Sequence, residues 1–177
     1  MERRSVRIAS LIAIGIVLAT DALYVVLIRS QGSAPQVYLP IFVSGYLALM
    51  AVLIAIALIS RPELARARAA LRIAAMTGLV VLGFVAAFSI GVPLIVAGLL
   101  VLVALVRSTQ VAPARFAFVS GVVAGSLALV LLIAGLEVTD RLIVCPDSGT
   151  MSGAGRGFVT GPYHYECNEG ELHFHSG

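Results

Sequence analysis

His164, Glu166, His173 and His175, near the C-terminus, have side-chain types and a spacing suited to holding a metal ion. Imidazole nitrogens with one carboxylate oxygen form a donor set that zinc or copper(II) accepts. His164 and Glu166 are two residues apart, as are His173 and His175, the period at which side chains share one face of a β-strand. Between the pairs, Asn168-Glu169-Gly170-Glu171 is turn chemistry. A two- or four-residue loop sets Cys167 opposite Leu172, Tyr165 opposite Phe174, Glu166 opposite His173 and His164 opposite His175. One face of that hairpin is apolar and the other carries the imidazoles. A three-residue Asn-Glu-Gly loop with a glycine bulge would mix the faces, which a half-buried strand resists. The even loop is therefore expected. Histidines near a chain end also commonly face water or a partner, so no cofactor is expected and zinc or copper is the alternative.

The remaining reactive groups are few. Cys145 and Cys167 are the two cysteines, and a disulfide between them is expected. Closing a loop of about 22 residues contributes about 3 kcal/mol in the chain-entropy model. Asp21 is the one formal charge within the long apolar runs, with Thr20 and Tyr24 beside it. An intramembrane carboxylate is a candidate proton or cation site. The reading favoured for Asp21 is a tie to Arg29 or Arg141 near one membrane interface. No histidine lies in an apolar run, which excludes a haem held by histidines of a helical bundle, and there is no Cys-x-x-Cys. Gly153-Ala154-Gly155-Arg156-Gly157 lacks the flanking strand and helix of a phosphate cradle. No nucleophile–base pair or metal-hydrolase motif can be read, and an enzyme is not expected.

The elements that must carry these groups follow from composition. A chain of 177 residues that is 60% hydrophobic and 12% charged lies far outside the range of soluble domains. It reads as an all-α polytopic membrane protein with five transmembrane helices and a small, disulfide-stapled, β-rich extracytoplasmic C-terminal cap. The spans fall at about 8–28, 38–59, 61–88, 92–109 and 115–136, and the cap at 137–177. The first apolar run is long enough to cross a bilayer and has a poor cleavage site, so a retained helix is expected rather than a signal peptide. Ser60-Arg61-Pro62-Glu63 has the form of a capping box opening the third helix. The uncharged run Ile73–Val106 would measure about 51 Å as one helix, against about 30 Å of hydrocarbon. Ser89-Ile90-Gly91-Val92-Pro93 supplies the break that makes it two.

Arginine, the only basic residue type, supports five spans. Arg3, Arg4, Arg7, Arg61, Arg66, Arg68, Arg72, Arg107 and Arg115 then fall on one side, against Arg29, Arg141 and Arg156 on the other. That bias orients the N-terminus to the cytoplasm and the cap outward, where a disulfide persists. Arg66, Arg68 and Arg72 are expected to snorkel to the interface. Ala117, Gly121 and Gly125 form a small-residue face for close helix packing, within the bundle or against a second copy. In the cap, Leu142–Cys145, Phe158–Thr160, Tyr163–Cys167 and Leu172–His175 are the expected strands, and Pro146–Gly157 a flexible loop.

The composition has a bacterial, GC-rich character, and the spread of arginines argues against a nucleic-acid partner. The function expected is that of an accessory, structural or assembly subunit of a larger bacterial membrane complex in the plasma (inner) membrane, in contact with the lipid bilayer and docking through helices and cap. An extracytoplasmic zinc- or copper-binding membrane protein is one alternative. A small transporter or channel using Asp21 is another.

Overall fold

The structure, a computed structural model, describes residues 2–30, 38–59, 64, 67–108, 114–157 and 159–176. Five helices follow one another: α1 (Glu2–Ser30), α2 (Tyr38–Leu58), α3 (Ala67–Val85), α4 (Gly91–Ser108) and α5 (Ala114–Arg141). All five are long and apolar enough to cross a membrane. A three-stranded antiparallel sheet follows, β1 (Thr150–Gly157), β2 (Gly161–Asn168) and β3 (Glu171–Ser176), in the order β1-β2-β3.

In the helical part, α3 touches α2, α4 and α5, while α1 packs between α2 and α4. The core is filled by Val17, Leu47, Met50, Ile54, Leu79, Leu82, Leu94, Val101 and Leu132. Around it, Leu23, Val26, Ile41, Val92 and Leu127 are exposed. Apolar side chains on both the inside and the outside of a bundle are what a lipid environment accommodates.

The break between α3 and α4 falls where Gly91 and Pro93 require it. Ala86–Ile90 forms the turn, with the Gly91 N–H donating to the Ala86 carbonyl at 2.9 Å. A Cβ on Gly91 would strike the backbone of Gly83 and Ala86, so only glycine lets the chain reverse this tightly. The helix boundaries differ from the expected spans at the start of α1, which begins at Glu2 instead of about 8, and at the ends of α3 and α5. α3 ends at Val85, short of the expected 88, while its expected start at 61 and the Ser60–Glu63 capping box lie outside the described residues. α5 runs to Arg141, so the helix continues through Glu137–Arg141, past the expected span end at 136.

Gly121 and Gly125 pack inside the bundle. A Cβ on Gly121 would collide with Ile73 Cδ1, and one on Gly125 would stand 3.1 Å from Thr77 Oγ1. Both contacts are to α3, so the small-residue face is what brings α5 close to α3. The side chain of Ala117 is not among those described.

Arg72 does not snorkel. It is only 5% exposed, and its Nη2 donates to the Ala57 carbonyl at 3.5 Å. Ala57 lies in the last turn of α2, whose carbonyls have no partner within their own helix. A cation there answers both the unsatisfied oxygen and the negative end of the helix dipole.

Candidate functional site: the C-terminal sheet and its seat on α5

Glu137, Asp140 and Arg141 occupy the final turns of α5. Carboxylates near a helix C-terminus are disfavoured by the helix dipole unless something else holds them. Here the cap does. The Val159 N–H donates to Glu137 Oε2 at 3.1 Å, and the Thr160 hydroxyl donates to Glu137 Oε1. Arg141 Nε stands 3.6 Å from the same Oε1. The Tyr163 hydroxyl lies 2.8 Å from Asp140 Oδ2 and 2.9 Å from the Asp140 carbonyl oxygen, sharing its proton between them. The Arg141 guanidinium sits 5.8 Å from the centre of the Tyr163 ring. Together these contacts fasten the β1–β2 turn and the start of β2 to the helix end.

Tyr163 is buried, and its pKa is raised above the ordinary tyrosine value. Burial is the largest cause, followed by the hydrogen bond to Asp140 and the charge of that carboxylate. The neutral phenol is therefore the form that the seat requires.

The sheet has two unlike faces. Toward the inside lie Met151 and the buried Tyr163, Tyr165 and Cys167, with Leu172 and Ile143 packed against them. The segment Leu142–Pro146 forms no strand; it runs beneath this face and carries Cys145. Cys145 is disulfide-bonded to Cys167, with Cα atoms 5.5 Å apart. The Tyr163 ring also meets Phe174 edge-on, with centroids 5.8 Å apart.

The first strand lies where a flexible loop is expected from sequence. Thr150–Gly157 pairs with β2 along its whole length, Gly153 opposite Tyr165 and Gly155 opposite Tyr163. A Cβ at either glycine would run into the ring of its partner tyrosine. The two rings thus cover backbone that glycine leaves bare, and this cross-strand packing stabilises a stretch of low strand propensity. The expected strand Leu142–Cys145 is absent. Val159 and Thr160 form a turn, and Phe158 lies outside the described residues.

The hairpin register is that of the even loop. Asn168 pairs with Glu171 across a two-residue turn, with φ of 50° at Glu169 and 85° at Gly170. Those left-handed residues give the hairpin turn whose twist matches the flanking strands. His164 is opposite His175, Glu166 opposite His173, Tyr165 opposite Phe174 and Cys167 opposite Leu172. His164, Glu166 and His173 are exposed, and His173 Nε2 is 3.7 Å from Glu171 Oε2. The side chain of His175 is not among those described. Among the described residues, no three His, Cys, Asp or Glu side chains converge closely enough, as they stand, to hold a metal ion.

Among the described residues, Asp21 forms no ion pair with an arginine. Arg141 pairs with Glu137 instead. Asp21 Oδ1 is buried and meets no hydrogen-bond donor among the described residues.

Sequence reasoning missed the seat formed by Glu137, Asp140, Thr160 and Tyr163. Its readable signal is the pair of carboxylates at the disfavoured end of an apolar helix. Comparison with protein-family models, with curated proteins and with solved structures found no match.

Proposed function

We propose that the protein is a non-enzymatic accessory or assembly subunit of a larger membrane complex, in a bacterial plasma membrane, with its N-terminus cytoplasmic and its cap extracytoplasmic. The observation that supports this most is the seat of the cap. Glu137, Asp140, Thr160 and Tyr163 spend their polar atoms fastening the sheet to α5. Polar side chains used this way act as struts. They hold a sheet in fixed orientation to a bundle whose outer surface is apolar, as a part that must fit a neighbour requires. The asymmetry of the arginines supports the orientation.

Two measurements test the reading. A membrane-impermeant thiol reagent applied to intact cells is expected to modify Ser152→Cys, on the exposed face of β1, and to leave Ala67→Cys untouched; the reverse pattern overturns the orientation. Purification from native membranes in mild detergent is expected to give a particle larger than one chain plus detergent, with a partner at fixed stoichiometry. That partner should be lost when Tyr163→Phe and Glu137→Gln loosen the cap. A lone chain in every detergent overturns the assembly role.

Asp21 Oδ1, which meets no hydrogen-bond partner among the described residues, favours a second reading, a small transporter or channel. Loss of an ion or proton flux in a folded Asp21→Asn variant would establish it.

A further inference from the structure

We infer that the exposed face of the β2–β3 hairpin is a binding site for a borderline divalent transition metal, zinc or copper(II). The inference does not depend on the assembly role.

Register carries it. Two successive rungs on one face consist of ligating residue types: His164 opposite His175, and Glu166 opposite His173. Residues directly opposite across an antiparallel pair have Cβ atoms about 5 Å apart, and the next rung on the same face lies about 7 Å along the strand. Those separations are within the combined reach of imidazole and carboxylate arms meeting one ion. A register shifted by one residue would send the histidines of one strand to the other face. The disulfide at Cys167 and the clamp on Tyr163 hold β2 against such a slip.

Surroundings suit a cation. His164, Glu166 and His173 are exposed, so they can turn toward a shared ion without giving up packing. Their neighbours on β1 are small, Ala154 opposite His164 and Ser152 opposite Glu166, and leave the face uncovered. Glu166 and Glu171 give it two carboxylates, and Arg156, opposite Pro162, stands one rung beyond His164 on the side away from Glu166 and His173. Glu171 Oε2 stands 3.7 Å from His173 Nε2, where it can orient that ring and leave Nδ1 to the metal. Imidazole nitrogens with a carboxylate oxygen fit zinc or copper(II) rather than calcium or magnesium, which take oxygen ligands.

The test uses the full-length protein in nanodiscs without a histidine tag, titrated with zinc chloride and separately with copper(II) chloride. One equivalent is expected to bind with micromolar affinity or better. The copper form should show nitrogen hyperfine coupling in its electron paramagnetic resonance spectrum. His164→Gln and His173→Gln are each expected to weaken binding by about tenfold or more. Both lie on an exposed face, and retention of the Cys145–Cys167 disulfide in each variant checks that the cap is intact. No uptake of either metal overturns the inference. So does uptake that both variants retain undiminished, because binding would then lie elsewhere.

Discussion

The Tyr163 hydroxyl stands 2.8 Å from Asp140 Oδ2, joining the third residue of β2 to the last turn of the final helix. The same ring is buried beneath β1 and touches Phe174 on β3. One side chain thus links all three strands to the bundle.

Removing that hydroxyl should loosen the cap and spare the helices. Tyr163→Phe is expected to cost about 1.5 kcal/mol, the lower end for a hydrogen bond to a charged group. Hydrogen exchange of the β2 amides should speed up by roughly tenfold, while thermal unfolding of the helical part stays within a degree or two. Unchanged exchange across β2 would show that the bond carries no weight.

Alkaline pH should act on the same point. The folded-state pKa of Tyr163 lies above the unfolded value of about 10, so the seat is fully stabilising below that value. As pH rises beyond about 10, an unfolded cap releases the phenolic proton more readily than a folded one, and stability falls. Hydrogen exchange of β2 followed from about pH 8 to 11 should show this loss in the parent protein. Tyr163→Phe should show a shallower dependence. Parallel curves for the two would contradict the assignment.

Gly121→Leu tests what the small-residue face of α5 does. Its side chain would be driven into Ile73, and overpacking of this kind costs about 1–3 kcal/mol. The expected result is a lower unfolding temperature with no change in particle mass by light scattering, and partial recovery on adding Ile73→Ala. A fall in particle mass with unaltered stability would mean that the face joins two copies.

Much of this architecture was legible because helices long and apolar enough to cross a membrane announce themselves by those two properties, and the break at Gly91 and Pro93 by residue type. The hairpin register was legible for a different reason: only an even loop keeps Tyr165, Cys167, Leu172 and Phe174 on one side. The disulfide followed from having just two cysteines. Three features escaped, each because a distant partner supplies what the local sequence lacks. β1 reads as a loop until the tyrosines that cover Gly153 and Gly155 are known. Arg72 reads as a snorkelling cation, yet the Ala57 carbonyl of a neighbouring helix keeps it inside. The last turn of α5 reads as the start of the cap, because Glu137 and Asp140 look like surface acids until Val159, Thr160 and Tyr163 meet them.

The fit of Tyr165 over Gly153, and of Tyr163 over Gly155, makes each pair a single unit of substitution. A methyl group added at position 153 would push the ring at position 165 out of its place, and the same holds for 155 and 163. Related chains should therefore change these positions jointly, trading a bare backbone and a large ring for two mid-sized side chains. Ser152 and Ala154, on the other face of the same strand, are exposed and meet no such ring.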